Sequence, residues 1–95
     1  MAELRFEWDP RKNASNRRKH GISFEEAQTE SCDDNALLIE DPDEREERFV
    51  LLGLSAALRV LLVCHCYRRN EQVIRIISAR TADRNEREEY ECRWR

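Results

Sequence analysis

No stretch of these 95 residues stays apolar for the roughly 18 positions that a membrane span requires, and Met1–Trp8 lacks the apolar segment of a secretory signal. The chain also has no internal repeat, no low-complexity tract and only two glycines and two prolines, so nothing in it reads as a linker. Cysteine is present four times but without metal-site spacing: Cys32 and Cys92 stand alone, and Cys64 and Cys66 fall inside an apolar run. A structural zinc site usually wants two Cys-x-x-Cys-like pairs, or a Cys pair with a His pair, and only His65 and the distant His20 are on offer. The cysteines read as buried reduced thiols, and neither metal nor cofactor is expected. These absences point to one soluble, cytoplasmic domain spanning residues 1–95, near the lower size limit for a self-sufficient core.

What the chain has in excess is charge. Charged residues make up 39 % of the sequence, against a usual share of roughly 25 %. The net charge of −3 conceals a segregation. Met1–His20 is net +3, Gly21–Arg48 net −9 and Phe49–Arg95 net +3. A basic face can meet phosphates while the acidic stretch Asp33–Glu47 meets a basic partner; the plainer alternative is that both are solvated surface. No helix-turn-helix or ribbon-helix-helix pattern is visible, which counts against a DNA-binding regulator acting alone.

Leu4-Arg5-Phe6-Glu7-Trp8 alternates at period two, as a strand does. Asp9-Pro10 then reads as a helix start, with Asp9 as N-cap, and Gly21 as the stop of a basic helix over Arg11–His20. Ser23-Phe24-Glu25-Glu26 has the form of a capping box for a second helix from Phe24 to about Ser31. Asp33-Asp34-Asn35 breaks it. A short strand over Ala36–Glu40, an acidic turn at Asp41–Glu44, and three strands at Arg48–Leu54, Leu58–Tyr67 and Gln72–Arg80 follow. Asp83 and Glu86 open a last helix from Arg84 to about Cys92. The order β-α-α-β-β-β-β-α implies an α+β fold, an antiparallel sheet packed by N-terminal helices and a C-terminal helix.

Three blocks taken together resemble the BrnT family: Phe6-Glu7-Trp8-Asp9-Pro10, the run Asn16–Ala27 containing Lys19-His20-Gly21, and Ile74-Arg75-Ile76-Ile77-Ser78-Ala79-Arg80. The charged helix closing at Tyr90 fits as well. Thr29-Glu30-Ser31-Cys32 departs from the pattern, standing where such proteins usually carry an apolar stretch. The resemblance implies a RelE-like fold and an endoribonuclease toxin of a type II toxin–antitoxin system that cleaves RNA and halts translation. It further implies a BrnA-like ribbon-helix-helix antitoxin, a 2:2 complex with it, and DNA contact only through that antitoxin.

Metal-free RNA cleavage uses the RNA's own 2′-hydroxyl as nucleophile, so it needs cations for the phosphorane, a base and an acid. Candidates for the catalytic role are His65, Arg80, Arg59 and Arg75. Histidine titrates near neutrality, and an arginine fork matches phosphate oxygens. The structural alternatives are a half-buried sheet histidine, a salt bridge from Arg80 to Glu26 or Glu86, and arginine stems covering apolar surface at Arg59 and Arg75. Lys19, Arg17, Arg18 and Lys12, with Arg11, are candidates for RNA contact, or else form a solvated helix face. His20 reads as a cap of the helix end against the sheet, and Glu26 as the partner of Ser23 in the capping box rather than a base. Trp8 reads as core, and Trp94 as a possible base-stacking ring. An even-length loop at Arg68–Glu71 would place Arg59, His65, Ser78 and Arg80 on one sheet face and Arg75 with Cys64 on the other; an odd-length loop would put Arg75 with His65. The reading from a different class is a non-catalytic antitoxin-binding or regulatory subunit.

Overall fold

The computed structural model describes residues 5–40, 48–69 and 72–92. The acidic turn expected at Asp41–Glu44, the first residue of the expected N-terminal strand and Trp94 lie outside them. The described elements run β1 (Arg5–Glu7), α1 (Pro10–His20), α2 (Phe24–Thr29), a single 3₁₀ turn (Glu30–Cys32), β2 (Leu37–Glu40), β3 (Phe49–Leu54), β4 (Val60–Arg68), β5 (Val73–Thr81) and α3 (Arg84–Cys92). Among them no helix is long and apolar enough to cross a membrane.

The sheet has the order β1-β5-β4-β3-β2. Strands β2 to β5 are antiparallel to their neighbours, as the sequence suggested, but β1 joins β5 in parallel, so the sheet is mixed. Helices α1 and α2 follow β1 directly, and only a crossover over one face lets the chain return through β2 to β5 with β1 left as an edge.

The helix starts and stops obey local chemistry. The Asp9 carboxylate accepts from the Arg11 N–H at 2.9 Å, Pro10 occupies the first turn, and Gly21 at φ 73° terminates α1 in the left-handed conformation. In α2 only half of the expected box forms: Ser23 Oγ accepts from the Glu26 N–H at 3.1 Å, while the Glu26 carboxylate is drawn away to Arg59 and Ser55. At α3 both halves form, Asp83 N–H to Glu86 and Glu86 N–H to Asp83, each at 2.8 Å.

Under α1 and α2 the sheet presents Leu61, Val63, Ile76 and Ala79, which pack with Ile22, Phe24 and Ala27; Phe6 and Trp8 close the cluster from the side. Trp8 meets Phe24 edge-on at 6.1 Å between ring centroids, which supports its reading as core. On the other face α3 covers one end, where Tyr90 packs with Leu52 and Ala82. Ile76 and Ala79 face the same core although three residues apart. A β-bulge permits this: His65 opposes Ile76 but Cys64 opposes Ser78, so Ile77 is the extra residue.

Asn16 was not anticipated, and it joins α1 to β5. Its Nδ2 donates to the Ile22 and Ala79 carbonyls at 2.9 and 2.7 Å, and its Oδ1 accepts from the Ala79 N–H at 3.1 Å, all buried. His20, expected to cap α1 against the sheet, is exposed instead, because Asn16 holds the inward position one turn earlier. Asn16→Ala strips partners from three buried backbone groups; it should cost about 2–4 kcal/mol and lower the melting temperature by about 10 °C or more, readable by thermal denaturation. A shift under about 2 °C would contradict the clamp.

Candidate functional site

The bulge decides which charged residues meet. Before it, the even-numbered residues Ile74 and Ile76 of β5 face the helices; after it, Ala79 does. Arg75 therefore shares a face with Cys66, Cys64, Ser78 and Arg80, the face away from α1 and α2. His65 and Arg59 sit on the helix side. The expectation that Arg59, His65, Ser78 and Arg80 share one face is thus corrected: it assumed an unbroken register. Arg75 does lie with Cys64, as the even-loop reading had it, but it has Arg80 for company and not His65.

Arg59, just before β4, and Arg75 and Arg80 of β5 each have a carboxylate partner. Arg59 forks onto Glu26, its Nε donating at 3.0 Å and its Nη2 making a second, shorter contact. This pair, with the Ser55 hydroxyl on Glu26 at 2.8 Å, pins the turn that carries Leu58 at φ 63°. Arg75 pairs with Glu7 across the parallel β1–β5 ladder. Arg80 forks onto Glu86 at 2.8 and 2.9 Å, the structural alternative weighed for it, with its side chain still 40 % exposed. The Arg59 guanidinium holds the Glu26 carboxyl below its ordinary value, and Arg80 does the same for Glu86.

His65 is buried. It stacks on Phe49 at 6.1 Å and meets Tyr67 edge-on at 5.3 Å, and burial pushes its pKa below the usual histidine value. It is therefore neutral at pH 7 and points to the face opposite Arg75 and Arg80. Lys19, Arg17 and Arg18 are exposed along α1, as is Arg11.

A cationic groove forms among the described residues. Lys12, at the start of α1, Arg75 of β5, Arg68 at the end of β4 and Arg48 before β3 line a concavity of about 500 Å³ floored by Cys66, Tyr67 and Ile77. No acidic residue is among its described lining residues, although Glu7 reaches Arg75 from β1. Lys12 and Arg75 are residues nominated from sequence; Arg48 and Arg68 are not. Only the pairing of the β3 start with the β4 end brings those two beside Arg75, and no local motif marks them. Such a groove suits a chain of phosphates, and Tyr67 adds an aromatic ring at its wall. The groove continues the face on which Arg80 stands. Cys64 and Cys66 point to this face and His65 to the other, so these three cannot converge on a metal.

A family model described as "Ribonuclease toxin, BrnT, of type II toxin-antitoxin system" matches residues 8–86. The fold is similar to that of a crystal structure of the ribonuclease toxin BrnT from Brucella abortus, with a TM-score of 0.68 and 20 % identity over 86 % of this chain and 100 % of that one. No curated protein sequence matches the chain.

Because Glu26 and Glu86 titrate below their ordinary value near 4.5 in the folded state, their contribution to stability is complete above that value. It is lost as pH falls through the depressed folded values. Melting temperature should therefore drop below about pH 4.5, and the drop should be shallower in Glu26→Gln/Glu86→Gln. An equal acid slope in the wild type and the double variant would show that the pairs contribute nothing.

Proposed function

The chain belongs to the BrnT family of ribonuclease toxins of type II toxin–antitoxin systems, and from that premise we propose that it is a metal-independent endoribonuclease whose substrate backbone lies in the groove of Lys12, Arg48, Arg68 and Arg75. The observation that carries this reading is the groove itself, a concavity lined by the four cations Lys12, Arg48, Arg68 and Arg75, with no carboxylate among the described lining residues. Cleavage proceeds when the 2′-oxygen attacks the adjacent phosphorus and the P–O5′ bond breaks, leaving a 2′,3′-cyclic phosphate and a 5′-hydroxyl. The nucleophile gives up a proton and the leaving oxygen takes one. Between these steps the phosphorane gathers negative charge, which guanidinium forks and the Lys12 ammonium stabilise more strongly than they do the ground-state diester.

Arg80 extends the same face. A phosphate there competes with Glu86 for the guanidinium, so Arg80 serves to hold the strand entering or leaving the groove. Arg59, tied to Glu26 on the helix side, acts through the turn it fastens. His65 reaches the groove only through Tyr67, whose ring touches His65 and also forms part of the groove wall. His65 is accordingly a positioning residue for Tyr67. Loss of messenger by this route is what would stop translation in the cell, and a cognate ribbon-helix-helix antitoxin, in a 2:2 complex that alone contacts DNA, would restrain it there.

The pairing of Arg59, Arg75 and Arg80 with carboxylates gives some support to a second reading, a non-catalytic subunit that only binds its antitoxin. Induced expression in bacteria separates the two. The wild type should arrest growth and deplete total RNA. Lys12→Ala/Arg75→Ala should relieve both, with cleavage lower by on the order of a hundredfold, while Arg87→Ala, outside the groove, should leave both unchanged. Normal growth and intact RNA with well-folded wild type would favour the binding subunit.

A further inference from the structure

On the helix side a second concavity opens, and its chemistry is opposite to that of the groove. It measures about 260 Å³, and Glu30, Asp33, His65, Tyr67, Leu38 and Leu51 are among the residues lining it. It crosses the part of the sheet that α2 leaves uncovered. Among the described residues no lysine or arginine lines it. Glu30 of the 3₁₀ turn is fully buried there, and neither of its carboxyl oxygens meets a hydrogen-bond partner. A buried carboxyl without partners is costly and rare, so it calls for an explanation.

The position of Glu30 is fixed from beneath. A Cβ at Gly53 would meet Ala36 Cβ at 2.9 Å and Glu30 Cγ at 3.0 Å, so the bare backbone of β3 is what lets the 3₁₀ turn settle with Glu30 inside. Asp33 beside it is satisfied, accepting from the Leu54 N–H at 2.8 Å, from the Asn35 N–H at 3.0 Å and from the Tyr90 hydroxyl. Among the described residues Glu30, part of the cavity's lining, is the one left with buried carboxyl oxygens that meet no hydrogen-bond partner. Leu38, which lines the cavity, is 51 % exposed and belongs to β2, the edge strand of the sheet. The way in thus passes an apolar rim beside the last strand of the described sheet.

We propose that this cavity anchors the antitoxin by receiving one arginine or lysine side chain, flanked by apolar residues, whose cation pairs with the Glu30 carboxylate. The inference rests on the toxin reading above for the existence of that partner, and on the cavity for where and how it binds. RNA is the wrong occupant, since its phosphates would enter a cavity whose described lining holds two carboxyl groups and no cation. A cationic side chain satisfies Glu30, its stem covers Leu51, and its apolar neighbours cover Leu38. In the free protein burial pushes the Glu30 carboxyl up to about 10; the Gly53 amide, which stands nearby without completing a hydrogen bond, only tempers the effect and Asp33 adds to it, so Glu30 is uncharged at pH 7. The titratable groups around it are Asp33, His65, which is neutral, and Tyr67. Arrival of a cation ionises Glu30, and its proton passes to the solvent.

The test is calorimetric titration of the toxin with the antitoxin encoded beside it, in two buffers of different ionisation enthalpy. The wild type should release about one proton more on binding than Glu30→Gln does, and Glu30→Gln should bind at least about tenfold more weakly. Leu38→Lys, an exposed change that leaves the core intact, should weaken binding in the same direction by placing a like charge at the rim. Wild-type affinity in both variants, or equal proton release by the wild type and Glu30→Gln, would overturn the proposal while leaving the toxin reading in place. A wild type that neither binds this antitoxin nor arrests growth would overturn both.

Discussion

The bulge at Ile77 is the constraint on which the rest of the molecule depends. A regular β5 would have to choose between Ile76 and Ala79 for the core, because side chains alternate strictly along a strand. One extra residue lets both face α1 and α2, and the same shift brings Arg75 and Arg80, at odd separation, onto the opposite face. Core packing and charge placement are thus two consequences of one irregularity. Asn16 holds it from above, spending its whole amide on Ile22 and on Ala79, two residues past the bulge. Without that clamp α1 has little to dock with, since its own sequence is almost wholly polar.

The sheet then divides the charges. Around Arg75, on the face away from α2, cations gather with Lys12 of α1 among them, and carboxylates appear there as partners that fix guanidinium geometry. On the helix face, the residues around Glu30 and Asp33 offer acceptors and apolar surface. A protein of net charge −3 can in this way present a phosphate-binding groove and a cation-seeking cavity at once. The segregation visible along the chain, basic at both ends and acidic in the middle, is the one-dimensional trace of this arrangement. Its functional meaning comes only from the strand order.

Much of the architecture was legible from residue patterns because its signals are local. Asp9-Pro10, Gly21, Ser23 and the Asp83–Glu86 box mark helix ends through hydrogen bonds within three residues, and the strands declare themselves by their apolar content. The parallel docking of β1 was not legible, since nothing in Arg5-Phe6-Glu7 names a distant partner. The bulge was not legible either: Ile76-Ile77-Ser78 reads as uninterrupted strand, and an assumed regular register therefore put Arg80 beside His65. Lys12 and Arg75 were found as basic residues in recognisable blocks, whereas Arg48 and Arg68 enter the groove only through the β3–β4 pairing. Glu30 looked like a departure in a short helical stretch. That it is buried against Gly53 follows from how closely the 3₁₀ turn approaches β3, which no spacing in the sequence reveals.

The central claim is that cations in the Lys12–Arg75 groove drive cleavage by the RNA's own hydroxyl. The most direct measurement is incubation of a defined RNA with the purified protein in excess chelator, followed by analysis of the new ends. The account predicts 2′,3′-cyclic phosphate and 5′-hydroxyl ends, formed at an undiminished rate with chelator present and lost on Arg75→Glu. Ends bearing 3′-hydroxyl and 5′-phosphate, or cleavage that survives charge reversal at Arg75, would contradict it.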